Sequence, residues 1–291
     1  LERDRGNAFG YQDSQGFYPL RESILETLHK SNITATPESI QIISGAQQGI
    51  DIISKALLAQ GDYVVTESPT YTGALAVFKS RGANIIDIEM LKDGPDLDIF
   101  EYNIKKYRPK LVYSIPSFQN PTGYSYSNDK RREIIALSAK YDFYILEDDY
   151  VSDLDFENRD YLPLKAIDTY DRVIFIKSFS KIFMPGLRLG FMIVPSKLSN
   201  IILQAKHTTD ISTSGLIQRA FDLYIRKGFW DKHFKFMFNI YKDRYLKVNQ
   251  ALNRYLPASV KFSLPGGGLN IWLSLPYGFP IETLIRQAAS E

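Results

Sequence analysis

The chain has 291 residues, enough for one large domain and part of a second, and its content of 44% hydrophobic and 23% charged residues is that of an ordinary globular protein. It has no cysteine, which excludes disulfides and thiolate metal sites, and its net charge of +2 is too small by itself to indicate nucleic-acid binding. No apolar run approaches the roughly 20 residues that span a bilayer, and no signal peptide opens the chain, so the sequence predicts a cytoplasmic protein without a membrane partner.

Short apolar runs alternate with helical patterns through the first two thirds of the chain. Helices are predicted at residues 19–30, 46–60, 70–81, 96–107 and 128–140. Strands are predicted at Tyr63–Thr66, Ala83–Ile88, Leu111–Ile115, Phe143–Leu146, Val173–Ile176 and Leu189–Val194. Several strands are apolar on both faces, as parallel strands covered by helices must be. We therefore predict an α/β domain with a mainly parallel sheet over residues 1–195.

Glycines and a serine mark some of the helix ends. Gly61 and Gly82 lie where left-handed C-caps are expected, because glycine adopts positive φ without a steric cost. Ser127 or Asn128 is suited to cap the helix that begins at Asp129.

The pattern changes after Pro195. Two helical stretches near 197–226 precede a long amphipathic helix with apolar residues at steps of four and three: Phe234, Phe238, Tyr241, Tyr245, Val248 and Leu252. A membrane-surface helix has a similar pattern, but a core-facing helix with a solvated back is the preferred interpretation. A strand is predicted at Leu269–Leu275, and residues 196–291 are expected to form linking helices and a smaller, incomplete α+β domain. Because the chain begins without methionine and ends within a helical pattern, we expect a piece of a longer protein.

Lys181 follows the apolar run Val173–Ile176 in the sequence Ser178-Phe-Ser-Lys181. A lysine just beyond a buried strand meets ligands at the carboxyl end of a parallel sheet, and a partly desolvated lysine can form a Schiff base with an aldehyde. The two serines and Arg188 could bind a phosphate. The alternative interpretation is an ordinary surface lysine.

The sequence Glu147-Asp-Asp-Tyr150 also follows an apolar strand. A carboxylate beside a pyridine nitrogen keeps that nitrogen protonated and makes the ring an electron sink, a role that suits Asp148. Tyr150 can hydrogen-bond the phenolic oxygen of such a ring. Paired carboxylates also bind Mg²⁺, although no phosphate-loop lysine motif accompanies them here.

Three other features fit a phosphorylated ring. Ser44-Gly-Ala-Gln-Gln-Gly49 opens a predicted helix, whose free N–H groups form a natural phosphate site. Asn120, in Ser117-Phe-Gln-Asn-Pro-Thr-Gly123, could reach a ring oxygen, and Tyr71 could stack on a flat ring. The alternatives are a conformational glycine, a simple turn and an aromatic packing residue.

Together these motifs closely resemble the fold-type I enzymes of the class I aminotransferase group, which depend on pyridoxal 5′-phosphate (PLP). The resemblance extends from Tyr11-Gln-Asp-Ser-Gln-Gly16 through Gly266-Gly-Gly-Leu269. It implies the type I aminotransferase fold, PLP as cofactor and an amino acid or other amine as ligand. It also implies a homodimer, because Tyr11 matches the tyrosine that reaches the phosphate in the partner subunit.

The resemblance also implies a role for each site residue. Lys181 matches the lysine that forms the Schiff base and carries the substrate proton, and Asp148 matches the partner of the ring nitrogen. Tyr150 and Asn120 match the groups bonded to the ring hydroxyl, and Tyr71 matches the stacking aromatic. The phosphate cup matches Ala46, Gln47, Ser178, Ser180 and Arg188. The family's substrate-carboxylate arginine lies beyond the end of this chain, and Arg286 does not match its motif, so the amino acid is not assigned.

Within the family, Glu147-Asp-Asp-Tyr-Val-Ser-Asp153 and Lys177-Ser-Phe-Ser-Lys-Ile-Phe-Met-Pro-Gly186 are most similar to MocR-type regulators of the GntR family. These transcription factors join a DNA-binding winged helix to an aminotransferase-like domain that senses PLP or an amino acid. The resemblance therefore implies an effector domain, with operator DNA bound by a domain absent from this chain. A free-standing aminotransferase and a non-catalytic interaction module are the alternatives.

Overall fold

The computed structural model describes residues 6–28 and 31–290. Its α-helices are α1 Tyr18–Leu28, α2 Ala46–Leu57, α3 Thr72–Ser80, α4 Leu97–Tyr107, α5 Asn128–Tyr141, α6 Ser199–Asp210, α7 Gly215–Arg226, α8 Phe229–Tyr255 and α9 Ile281–Ser290. Its strands are β1 Ile40–Ile43, β2 Tyr63–Ser68, β3 Asn84–Leu91, β4 Gly94–Pro95, β5 Leu111–Ser114, β6 Tyr144–Asp149, β7 Val173–Ser178, β8 Gly190–Ile193, β9 Lys261–Phe262 and β10 Leu273–Ser274.

Eight of these strands form one sheet in the order β1-β8-β7-β6-β5-β2-β3-β4. The five central strands, β7, β6, β5, β2 and β3, run parallel to one another. Strand β8 runs antiparallel to both β7 and β1, and the short β4 runs antiparallel to β3. The prediction of an α/β fold with a mainly parallel sheet is confirmed.

Helices cover both faces of the sheet because its strands are apolar on both sides. Neighbouring residues of a strand point to opposite faces, and Val64 and Val65 accordingly belong to different core clusters. Helices α2, α3 and α6 pack on the Val64 face. Helices α4 and α5 pack on the Val65 face, and α1 and α7 continue that layer over β7 and β8.

Several element boundaries differ from the sequence predictions. Helix α2 ends at Leu57, so Gly61 lies in the following turn and does not cap the helix, although its φ of 88° is left-handed. Gly82 directly follows the cap of α3 with a φ of 70°, as predicted. The strand predicted at Leu269–Leu275 is only the two-residue β10, which pairs with β9.

Part of the apolar stripe of the long amphipathic helix α8 packs against the rest of the protein, as expected. Phe238, Tyr241 and Tyr245 pack on a buried cluster of Phe118, Val151, Leu154 and Phe156. Val248, farther along the stripe, is 44% exposed, so the core-facing interpretation is wrong there. Among residues 6–28 and 31–290, no helix is both long and apolar enough to cross a membrane.

Candidate active site

Three of the predicted site residues, Asn120, Asp148 and Lys181, lie at one edge of the sheet. Strands β5, β6 and β7 are neighbours and parallel, so their carboxyl ends meet at the same edge. The loop with Asn120 follows β5, Asp148 is the fifth residue of β6, and Lys181 lies three residues beyond β7.

Asp148 is buried at the end of β6 and has one satisfied carboxylate oxygen. Its Oδ2 accepts a hydrogen bond of 2.7 Å from the hydroxyl of Tyr113. Its Oδ1 is buried and finds no hydrogen-bond partner among residues 6–28 and 31–290. Burial raises the pKa of Asp148 to about 6; the bond from Tyr113 opposes this rise, and the charges of Asp149 and Glu67 add to it.

The unpaired Oδ1 tests whether this site fits a pyridine cofactor. Leaving a buried oxygen without a hydrogen bond destabilises the folded protein by about 1–3 kcal/mol, and by more when the oxygen is charged. Native proteins therefore rarely leave such an oxygen unpaired. A protonated ring nitrogen would donate to Oδ1 and would also neutralise the buried charge. The residues present at Asp148 therefore fit PLP.

Tyr150 and Asn120, the predicted ligands of the ring oxygen, lie on adjacent loops. The Tyr150 hydroxyl donates to the carbonyl oxygen of Phe118 and accepts from Nδ2 of Asn270, each over 2.7 Å. Burial raises the pKa of Tyr150. Asn120 is half-buried two residues after Phe118. Sequence reasoning missed Asn270, because no local pattern marks a residue that returns from the far end of the chain.

The predicted phosphate cup brings together the start of α2 and the segments that flank β8. Gly45 precedes α2 with a φ of 90°, and no side chain in the described ranges caps this helix start. Arg188 Nη2 donates to the carbonyl oxygen of Ser44 over 3.2 Å. A Cβ atom at Gly190 would lie about equally close to the Cα atoms of Ser178 and Gly45, at 3.4 and 3.5 Å. The uncapped N–H groups of α2 and the guanidinium of Arg188 together can hold a phosphate.

The remaining cup residues have local partners in the structure. Ser178 Oγ lies 3.0 Å from Ser180 Oγ, so the two serines form a pair. Ala46 is the first residue of α2. The Gln47 amide donates to the carbonyl oxygen of Gly73 over 3.0 Å and accepts from the Tyr71 hydroxyl over 2.9 Å. Gln47 and Tyr71 are thus joined at the site.

Tyr71 packs its ring against the first turn of α3. A Cβ atom at Gly73 would lie 2.4 Å from Cζ of Tyr71, so only glycine leaves room for the ring in this position. The ring is half-buried, and its hydroxyl is hydrogen-bonded to the side chain of Gln47 in α2. Its predicted role as a stacking aromatic stays a prediction.

Lys181 is exposed, whereas a partly desolvated lysine was expected from the sequence. Its segment is nevertheless anchored, because Ile182 is buried beside it. The carbonyl oxygen of Lys181 accepts a hydrogen bond of 2.8 Å from the Tyr241 hydroxyl of α8. The backbone of Lys181 is therefore held at the sheet edge while its amine is accessible to a ligand.

Tyr11 lies at the surface beside a shallow cleft formed with residues 212–216. It is 89% exposed, which leaves its side chain accessible to a second copy of the chain. Its predicted contact with the phosphate of a partner subunit stays a prediction.

Glu67, at the end of β2, organises the loop that carries Asn120, and sequence reasoning missed it. It is buried, and its carboxylate accepts hydrogen bonds from Ser114 Oγ, Ile115 N, Gln119 Nε2 and Tyr126 Oη at 2.7–2.9 Å. Arg131 of α5 holds the same loop from the other side by donating to the carbonyl oxygens of Pro116 and Tyr126. A polar residue directly after an apolar strand was the available signal for Glu67.

The carboxylates beside Asp148 have partners other than a metal. Lys177 Nζ lies 2.8 Å from a carboxylate oxygen of both Asp149 and Asp153. Glu147 accepts from the backbone N–H groups of Leu164 and Lys165. Within the two described ranges, no group of three or more histidine or acidic side chains is arranged to hold a metal ion.

A protein-family model and known proteins match this chain over most of its length. The family model described as aminotransferase class I and II matches residues 2–266. Aromatic-amino-acid aminotransferase 1 of Thermococcus litoralis is 31% identical over 297 residues, which cover 100% of this chain and 71% of that protein. The uncharacterized HTH-type transcriptional regulator YisV of Bacillus subtilis is 34% identical over 94% of this chain, which spans only 57% of that regulator.

A solved structure with the same architecture is kynurenine aminotransferase of Pyrococcus horikoshii, in complex with PMP and with kynurenine named as substrate. The two chains superpose with a TM-score of 0.93 at 33% sequence identity. The match covers 99% of this chain and 73% of that one.

Proposed function

This chain belongs to the family of class I and II aminotransferases, and we propose that it binds PLP through Lys181 and acts on the amino group of amino acids. The observation that carries the proposal is the buried, unpaired Oδ1 of Asp148 at the sheet edge where Lys181 is accessible. Such an oxygen is suited to a protonated pyridine nitrogen.

The remaining predicted ligands bind different parts of the cofactor. The N–H groups at the start of α2 hold the phosphate, together with Arg188 and the pair Ser178 and Ser180. Tyr150 and Asn120 bind the ring oxygen, and Tyr71 covers the ring.

Bound PLP supplies an aldehyde that reacts with primary amines and a ring that delocalises the electron pair left when a substrate Cα–H bond breaks. Asp148 holds the proton on the ring nitrogen, which keeps the ring electron-withdrawing. Lys181 would hold the cofactor through its side-chain amine. The same amine, once free of the cofactor, would be placed to take the proton from the substrate Cα.

Two parts of the chain have different roles in this account. Residues 1–195 form the cofactor-binding domain, and residues 196–291 form linking helices and part of a smaller domain. Two copies pair so that Tyr11 of each reaches the phosphate site of the other.

A second candidate is the effector domain of a transcriptional regulator that senses PLP or an amino acid. The observation that favours it is the 34% identity with an HTH-type regulator over 94% of this chain. In that case operator DNA is bound by a separate winged-helix domain. The site chemistry is the same, and the sensor differs by stopping before a 2-oxo acid is released.

The test is a single-turnover assay of the PLP-loaded protein with a panel of aromatic, acidic and aliphatic amino acids. A 2-oxo acid, detected by mass spectrometry in amounts stoichiometric with protein, supports the aminotransferase. Spectral change on amino-acid binding without any 2-oxo acid supports the sensor, and no response to any amino acid contradicts both the aminotransferase and a sensor of amino acids. Reading the gene upstream of Leu1 separates them independently, since about 70–120 further residues with a helix-turn-helix pattern would favour the regulator.

A further inference from the structure

The hydroxyl of Tyr150 lies between a hydrogen-bond acceptor and a hydrogen-bond donor. It donates to the carbonyl oxygen of Phe118 and accepts from the amide Nδ2 of Asn270, each over 2.7 Å. A tyrosine hydroxyl has one proton to donate, whereas a carbonyl oxygen can only accept and an amide NH₂ can only donate. The two neighbours therefore fix the direction in which Tyr150 uses its proton.

Asn270 is itself held against the loop that carries Asn120, one of the two predicted ring-oxygen ligands. A Cβ atom at Gly123 would lie 2.5 Å from the carbonyl oxygen of Asn270, and one at Gly268 would lie 2.5 Å from Cβ of Phe118. Glycine at both positions lets the segment 268–270 pack closely against this loop. This segment lies beyond residue 266, where the family match ends.

Asn270 also borders a cavity that opens beside the predicted site. The cavity has a volume of about 320 Å³ and is lined by the second half of α8 and by residues 267–271. Tyr241, which binds the carbonyl oxygen of Lys181, lines the same cavity. Asn270 therefore lies between Tyr150 and a space that a ligand can enter.

We propose that Asn270 is a positioning residue that keeps Tyr150 a hydrogen-bond donor toward the ring oxygen of the cofactor. The inference rests on the proposed function, because it concerns the same ring oxygen. With Asn270 donating to its oxygen, what Tyr150 has left to offer is its proton, which it donates to the carbonyl oxygen of Phe118 in this structure and would redirect to the ring oxygen of bound PLP. A donor favours the ionised form of a ring oxygen, and an acceptor favours the protonated form.

The effect of Asn270 on the pKa of Tyr150 agrees with this geometry. Burial raises the pKa of Tyr150, and the bond from Asn270 opposes that rise. Asn270 thus makes the hydroxyl a stronger donor than burial alone would allow. Loss of the amide frees a lone pair of Tyr150, which can then accept from a protonated ring oxygen.

The experiment measures the pH midpoint of the visible absorbance of PLP-loaded protein in wild type, Asn270→Ala, Asn270→Asp and Tyr150→Phe. Asn270→Ala should raise the midpoint by about 0.5–1 pH unit. Asn270→Asp should raise it further, because a carboxylate accepts the Tyr150 proton. The double variant of Asn270→Ala and Tyr150→Phe should match Tyr150→Phe alone, because Asn270 acts through Tyr150.

Asn103→Ala is the matched control, since Asn103 is a half-buried amide on α4 whose side chain donates to the carbonyl oxygen of Ile99 in the same helix. The proposal is overturned if Tyr150→Phe shifts the midpoint while both Asn270 variants, folded by circular dichroism, leave it within about 0.2 pH unit, a fraction of the energy of a typical hydrogen bond. That result would leave the proposed function intact. Absence of a visible band in wild type would instead contradict the proposed function and with it this inference.

Discussion

Tyr113 donates its hydroxyl to Oδ2 of Asp148 over 2.7 Å, while Oδ1 of the same carboxylate is left buried without a partner in the described part of the chain. The bond orients the carboxylate and leaves Oδ1 without a hydrogen bond at the carboxyl end of β6. The arrangement costs stability in the cofactor-free protein, because burial makes the charged form unfavourable. It also creates a strong acceptor for a cationic N–H group.

The first prediction is that Asp148→Asn stabilises the cofactor-free protein at high pH. The pKa of Asp148 is about 6 in the folded protein, above its ordinary 3.8, so the folded state binds this proton more tightly than the unfolded state. The resulting stability is complete below pH 3.8 and is lost as pH rises through about 6. A difference of about two pH units corresponds to about 3 kcal/mol.

Chemical denaturation of cofactor-free wild type and Asp148→Asn between about pH 4 and pH 8 measures this. Relative to wild type, the variant should gain about 2–3 kcal/mol in its free energy of unfolding across that range. With PLP added, the order should reverse, because the neutral amide of the variant cannot balance the charge of the ring nitrogen. A pH-independent difference between the two proteins would show that Asp148 is already ionised at the acidic end of the range without cost.

The second prediction concerns Tyr113→Phe. Removing the hydroxyl leaves both oxygens of Asp148 unpaired, which should cost about 1–3 kcal/mol near pH 8. The loss should be smaller near pH 4, where Asp148 is protonated. In a double-mutant cycle with Asp148→Asn, the coupling energy should be about 1 kcal/mol or more near pH 8, and additive effects would contradict a direct interaction.

The third prediction is that Gly45→Ala weakens phosphate binding. Gly45 has a φ of 90°, and an added Cβ would lie 2.6 Å from Nη2 of Arg188, so the guanidinium must move away from Ser44. We expect PLP to bind about tenfold more weakly, with a loss of about 1–3 kcal/mol in stability from backbone strain. Titration of PLP by fluorescence quenching measures the affinity.

Gly186→Ala is the matched control for that variant. Gly186 lies two residues before Arg188, lacks a positive φ and has no described atom within 4 Å of an added Cβ. It should leave both affinity and stability unchanged. Equal behaviour of the two variants would contradict a phosphate site at the start of α2.

The fourth prediction is that Glu67→Gln destabilises the loop between β5 and α5. Four donors point at this buried carboxylate, and an amide NH₂ in place of one oxygen would face a donor. We expect a loss of about 2–3 kcal/mol in the free energy of unfolding and faster amide hydrogen exchange at Gln119. Glu89→Gln, on the exposed side of the neighbouring β3, should change neither and is the control.

Much of the fold was predictable because its signals are local. The apolar runs that form β6 and β7 are each followed by polar residues, and this pattern alone predicts that Asp148 and Lys181 lie at one sheet edge. Ser127 caps α5 by accepting from the backbone N–H of Lys130, as its position before a helical pattern predicts.

The rest depends on contacts between distant parts of the chain. Strand β1 was missed because four residues before a helix form a strand only by pairing with β8, far along the chain. Tyr113 belongs to an apolar run, and its hydroxyl gains a partner only when β5 lies near Asp148 of β6. The exposure of Lys181 likewise depends on which other segments cover it, and no local pattern records that.

The most direct test of the proposed function is the identity of the lysine that binds PLP. PLP is added to the purified protein, the product is reduced with borohydride, and the modified residue is located by peptide mass spectrometry. We expect a visible absorbance band and modification of Lys181, both lost in Lys181→Ala and kept in the control Lys197→Ala, which alters another exposed lysine. Retention of the band in Lys181→Ala, or modification at a different lysine, would contradict the assignment of Lys181.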